Sequence, residues 1–235
     1  METVREALLA SALFGSLPAS ELDTLEGAGT RVEFRAGDVI WEAGDRAPEF
    51  AVVVRGALKL THPLASGRAA LLSVFGAGET IGDVAAINDM PYPACCMAIS
   101  DGVLFRIPRV VVRAIADRDP DLQRRFALAP LAHMQRLQGK VATLHAGEID
   151  ARLAHALLDL ATRLGRKRDD GAWIVPTPLS RQELADLISA RIESVIRAMS
   201  RWSKEGIVET RVTGFLILKR EVLADLARDA TPKSG

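Results

Sequence analysis

Apolar positions along the chain change their period several times, and each change predicts a different kind of element. Between about residues 4 and 27, Leu8, Leu9, Leu13, Phe14, Leu22 and Leu25 recur at helical spacing, broken at Gly15 and Pro18, which predicts short leading helices. From Thr30 to about Pro108 the texture becomes short β-rich runs cut by glycine: VEFRAGDVIWEAGD, FAVVVRGALKLTHP, AALLSVFGAGETIGDVAAI and CCMAISDGVLFRIP. Many short strands at near-regular spacing predict a barrel-like roll or sandwich. Gly37, Gly44, Gly56, Gly67, Gly78 and Gly82 then fall at turns, where positive φ is cheap only for glycine.

From about Val110 to Leu144 the helical period returns. Ala127, Pro130, Met134, Leu137, Val141 and Leu144 are spaced 3, 4, 3, 4, 3, a heptad seam suited to a second copy of the same helix. A homodimer is expected, the alternative being that the seam packs on the chain's own roll. Pro130 lies inside this helix, where it removes a backbone hydrogen bond at a cost of about 3 kcal/mol, so a kink or a restart is expected there. His145 to Asp150 reads as a hinge, with Asp150 capping a helix at about 151 to 164. The charged stretch GRKRDDG that follows reads as a loop or turn.

Between about Leu179 and Gly206 the pattern predicts two short helices at a tight turn. Ser180 and Glu183 form a capping box, and Leu184, Leu187 and Ile188 give an apolar stripe. The pattern breaks around Ser189 and Ala190, after which Val195, Met199 and Trp202 define a second buried face. Ile192, Glu193, Ile196, Arg197 and Arg201 are left on the opposite side. That mixture suits a DNA major groove: Arg bonds guanine bidentately, Glu accepts from cytosine, and aliphatic groups touch thymine methyls. The run IVETRVTGFLILKR then reads as a hairpin turning at about Val212 to Gly214, completing the order of a winged helix, before a final short helix after about Leu223. The predicted class is α+β, with an N-terminal β-roll, a long helix and a C-terminal winged helix-turn-helix.

Length and composition then narrow the reading. A chain of 235 residues, half of them hydrophobic, has ample material for two cores. Its start lacks the pattern of a secretory signal, and no apolar run reaches the roughly 20 residues of a membrane span, so a cytoplasmic protein away from membranes is expected. The net charge of zero conceals an asymmetry. Divided after Glu148, the first part holds about 15 basic and 18 acidic residues and the second about 15 and 12, roughly −3 and +3. Positive charge therefore lies with the proposed reading head, and Arg191, Arg197, Arg201 and Lys204 would steer it to phosphate. The only cysteines, Cys95 and Cys96, make no disulfide framework, and as neighbours on a strand they point to opposite faces. A cupin-like metal enzyme would need clustered ligands, and the roll contains one histidine, His62, so no catalytic role is expected.

With roll, long helix, hinge and winged helix in this order, the chain resembles the Crp/Fnr family of bacterial transcription regulators over nearly its whole length. FRAGDVIWEAGD, VVVRGALKL and GAGETIGDVAAI resemble the family's roll motifs, and IESVIR its Glu-x-x-x-Arg signature. The resemblance implies an effector-sensing roll over residues 1–116, a dimerisation helix and hinge over 117–147, and a DNA-binding domain over 148–235. It implies double-stranded DNA, a second copy and RNA polymerase as partners. Glu193 and Arg197 would read bases, within a surface of Ser180, Arg191, Ile192, Ser194, Ile196 and Arg201. The cAMP-binding branch carries an arginine where this chain has Ile192, which implies contact with a thymine methyl and a TTG-type half-site in an inverted repeat.

The effector pocket implied by the resemblance contains Gly82, Asp83, Pro93 and Ala94, with Leu137 from the dimer helix. Pro93 and Ala94 stand where a cAMP pocket has Arg and Ser, so the cyclic phosphate would be buried without a cation and cAMP binding is not expected. An iron–sulfur branch needs four cysteines, and the chain has two. Haem sensing of nitric oxide or carbon monoxide would draw its axial ligands from His62, His133, His145, Cys95 and Cys96, and oxidant sensing would draw on the two thiols. The remaining alternative is a cyclic-nucleotide-binding-like interaction module whose winged helix has lost its DNA function.

Overall fold

A computed structural model describes residues 3–64, 67–131 and 149–228. They form an N-terminal and a C-terminal compact unit, each with its own core. Leu137, Met134, Val141, Leu144, His133 and His145, with most of the expected dimer seam and hinge, lie outside the described residues.

The N-terminal unit opens with α1 (Val4–Ala10) and α2 (Ala19–Ala28). A Thr3–Glu6 capping box starts α1, and Leu8, Phe14 and Leu25 are fully buried against the roll. Eight strands follow: β1 (Thr30–Phe34), β2 (Val39–Trp41), β3 (Glu49–Arg55), β4 (Ala57–Pro63), β5 (Ala69–Gly76), β6 (Thr80–Ile81), β7 (Cys95–Ala98) and β8 (Gly102–Pro108). They make two four-stranded sheets of order β1-β8-β3-β6 and β2-β7-β4-β5. The registers between β1 and β8, β3 and β8, and β4 and β7 are all antiparallel. β3 and β8 are buried on both faces, because α1 and α2 also pack on them. All six glycines expected at turns have positive φ. At Gly56 (φ 87°) the need is doubled, because an added Cβ would lie 2.6 Å from the Asp101 carbonyl oxygen.

The run GDVAAI is helical where strand texture had been expected. α3 spans Asp83–Asn88, entered through Gly82 in the left-handed region. After β8, α4 (Arg109–Ala116) is followed by a helix, α5, described over 120–131. No break or restart occurs at Pro130 within these residues. Pro130 is exposed, so the carbonyl it leaves without an N–H partner can be solvated.

The C-terminal unit contains α6 (Ile149–Leu164), β9 (Arg166–Lys167), β10 (Trp173–Val175), α7 (Arg181–Leu187), α8 (Ile192–Lys204), β11 (Val208–Arg211), β12 (Gly214–Ile217) and α9 (Arg220–Arg228). α6 buries Leu153, Leu157 and Leu160 and packs on α8 and α9. The stretch read as a loop or turn does turn at Arg168–Gly171, but Arg166–Lys167 before it are a strand, β9, that pairs on β10, and the strands form one sheet of order β11-β12-β10-β9. One expectation fails here. Asp150 does not cap its helix but lies in the first turn, where its carboxylate holds Arg201. Among the described residues, no helix is long and apolar enough to cross a membrane.

Candidate nucleic-acid interface and effector segment

The first helix of the pair is built as its sequence requires. The Ser180 hydroxyl accepts from the Glu183 N–H at 3.1 Å, and the Glu183 carboxylate accepts from the Ser180 N–H at 2.8 Å. Leu184, Ala185 and Ile188 are buried, and Leu187 is half-buried. Ser189 then turns the chain at φ 51°, and Arg191 becomes the N-terminal cap residue of α8. Loss of the Ser180 cap should cost about 1 kcal/mol, so Ser180→Ala should lower the melting temperature of the C-terminal unit without removing any group from α8.

On α8, Val195, Ala198, Met199 and Trp202 are buried, which turns the opposite side outward. Glu193, Ile196, Arg197 and Arg201 are exposed, and Ile192 and Ser194 are half-buried. Ile196 keeps 44% of its surface in solvent, on the same outward side as Glu193 and Arg197. Arg197 donates to the Ser194 hydroxyl at 3.2 Å. Arg201 is an ion-pair partner of Asp150 in α6. Arg181 lies under the hairpin, where it donates to the Thr210 hydroxyl at 2.6 Å and burial lowers its pKa. Gly214 (φ 139°) permits the hairpin to close, since a Cβ there would lie 2.0 Å from the Val175 carbonyl oxygen. Val212, at the hairpin tip, is 96% exposed.

In the roll, Gly82 (φ 76°) lies beneath two rings, and a Cβ there would be 2.7 Å from Tyr92 and 3.3 Å from Trp41. Trp41 and Tyr92 stack with centroids 4.0 Å apart, and the Trp41 N–H donates to the Ala94 carbonyl at 3.1 Å. Asp83 turns its carboxylate onto the Val84 N–H at 3.0 Å, Ala94 is buried and Pro93 is exposed. A cavity of about 320 Å³ lies beside the aromatic stack, with Asp45, Arg46, Glu49 and Arg106 among its lining residues. None of Gly82, Asp83, Pro93 and Ala94 lines it. Sequence reading passed over Trp41, Tyr92 and Arg106; the one available signal was the scarcity of large aromatics, with three Trp and one Tyr in the chain.

Cys96 is buried, and burial pushes its thiol up to about 12, while Cys95 on the opposite face is half-buried. Burial likewise pushes Tyr92 up to about 12. Both groups hold their protons in the folded unit at a pH where the unfolded chain would release them, from their ordinary 9.0 and 10.0. Stability contributed by the neutral forms is therefore lost as pH rises from about 9 toward 12. The melting temperature of the N-terminal unit should fall over that interval. At about pH 8 an alkylating reagent should label Cys95 ahead of Cys96, read by peptide mapping. His62 is exposed on β4, and among the described residues no group of three or more His, Cys, Asp or Glu is placed to hold a metal.

Comparison with known proteins places both units. Residues 31–119 match the cyclic nucleotide-binding domain family, and residues 151–226 match the Crp-like helix-turn-helix domain family. The chain belongs to the Crp/Fnr superfamily of transcription regulators. Among its Crp/Fnr relatives, a CRP-like cAMP-activated global transcriptional regulator of Mycobacterium tuberculosis (strain H37Rv) is 25% identical over 224 residues, 95% of this chain and 99% of the relative. The nitrogen fixation regulation protein FixK of Bradyrhizobium diazoefficiens is 25% identical over 203 residues, 86% of this chain and 84% of the relative. A solved structure, a putative cyclic nucleotide binding protein from Ruegeria pomeroyi, superposes with a TM-score of 0.70 at 26% identity, covering 96% of this chain and 99% of that one. A β-roll followed by a helix-turn-helix is thus the superfamily's fold, and the protein is a DNA-binding regulator rather than an enzyme.

Proposed function

We propose that the protein is a homodimeric regulator that reads an inverted repeat with TTG-type half-sites and answers to an effector other than cAMP. The observation that carries the DNA reading is the outward stripe of α8: Glu193 and Arg197 at four-residue spacing, with Ile192 beside them at the helix start. Glu193 accepts from cytosine, Arg197 bonds guanine, and Ile192 meets a thymine methyl. Ser180, Arg191, Ser194 and Ile196 border this surface. In this reading residues 1–116 sense, 117–147 pair two copies, and 148–235 bind DNA, with RNA polymerase as the further partner. Ala127, Leu128 and Leu131 are exposed at the described end of α5, which supports an apolar face for the second copy. Footprinting on a TTG inverted repeat with half-sites about one helical turn apart tests it. Equal protection of scrambled DNA at moderate salt defeats the reading.

Two observations support an effector other than cAMP. Pro93 and Ala94 offer no cation to a cyclic phosphate, and the Trp41–Tyr92 stack covers Gly82. The second reading, cAMP itself, is favoured by the mycobacterial relative that matches 95% of this chain. Calorimetric titration separates them, since saturable heat from cAMP at micromolar concentration would reverse the proposal. An absorption spectrum of fresh protein then decides whether haem is the effector group, through a Soret band.

A further inference from the structure

Glu193, Arg197 and Arg201 recur every four residues and form one outward stripe along α8. A groove-reading helix presents its N-terminal residues to bases. Arg201 lies two turns beyond Glu193, about 12 Å along the axis, where a reading helix leaves the base edges and meets the backbone. Its natural target is a phosphate. In this structure its guanidinium is instead held by the Asp150 carboxylate, a group with the same charge and the same paired oxygens.

Asp150 is well placed for that role. It sits in the first turn of α6, and most of its side chain is covered. The same turn carries Arg152, whose Nη1 donates to the carbonyls of Ile188 at 3.2 Å and Ser189 at 3.4 Å. The first turn of α6 thus touches both the turn that aims α8 and the last residue of the α8 stripe.

We propose that Asp150 is an intramolecular competitor of DNA phosphate for Arg201. While the pair is closed, Arg201 is withheld from the backbone and the protein binds with one phosphate contact fewer. Displacing the first turn of α6 from α8 releases the guanidinium. Asp150 is therefore a positioning residue that acts through Arg201. This inference rests on α8 being the helix that enters the groove.

The test is full-length protein against an operator duplex and a scrambled duplex by fluorescence anisotropy, from about 50 to 300 mM KCl. Asp150→Asn is expected to bind about two- to fivefold tighter, with a salt slope steeper by about 0.9, one additional phosphate neutralised. Arg201→Ala should bind no tighter than the wild type and show no steeper a salt slope, and adding Asp150→Asn to it should change nothing. A gain that persists in the Arg201→Ala background would be plain removal of a repelling charge and would overturn the proposal. Wild-type affinity and slope in Asp150→Asn would overturn it as well. If that variant melts early, Asp150→Ser carries the same comparison. Phosphate contacts are independent of sequence, so the slope is readable on either duplex. Loss of discrimination between duplexes faults the base reading alone; absence of all binding faults both.

Discussion

Replacing Trp202 by alanine is expected to cost about 3–5 kcal/mol and to lower the melting transition of the C-terminal unit while leaving that of the N-terminal unit in place. Trp202 is 1% exposed and completes the buried face of α8 with Val195, Ala198 and Met199. Its carbonyl also accepts from the Ile207 N–H at 2.8 Å, where the helix hands over to β11. A domain of ordinary stability has only about 5–15 kcal/mol in total, so the loss removes a large share of it. Trp202→Phe keeps most of the ring and should fall between the two. Differential scanning calorimetry resolves the two transitions, and an unshifted C-terminal transition would mean that α8 is not seated on this side chain.

Arg197→Ala has the second largest expected effect, on binding rather than on folding. Removing a bidentate arginine from a base edge costs about 1–3 kcal/mol, roughly five- to 150-fold in operator affinity, and on the proposed reading relaxes selection at one guanine. Arg197 is exposed, and its hydrogen bond in the free protein is to the Ser194 hydroxyl, so the melting temperature should be unchanged. Affinities measured across a set of operators with each base substituted in turn provide the check. A uniform loss across all of them would make Arg197 a backbone contact.

Local signals were legible wherever one residue type has one physical reason to occupy a position. The glycines marked turns because positive φ is cheap for glycine and costly for most other residues, and the Ser180–Glu183 box marked the start of α7 because both groups lie within reach of the same backbone turn. The buried face of α8 followed from the spacing of Val195, Met199 and Trp202, a period only a helix satisfies. What escaped was set at long range. β9 is two exposed residues whose strand character comes from pairing with β10, which in turn pairs with β12 from the far end of the unit. The segment Asp83–Asn88 is a short apolar run, equally compatible with strand and helix until its surroundings decide. Trp41 and Tyr92 meet only because the roll brings β2 beside the segment before β7. Arg201 was read as one more groove-facing cation because nothing in a linear pattern reveals that Asp150 lies against it.

The pairing of β10 with β12 also has a kinetic side. Val175 is registered on Phe215, so this one strand contact closes a loop that contains α7, α8 and β11 entire. Loop closure must be met from entropy before the sheet returns any packing. During synthesis both helices are made before β12, and a chain stopped short of Gly214 has the helix-turn-helix sequence but not the strand that fastens it. The reading head becomes a single object only when that last central strand is threaded in.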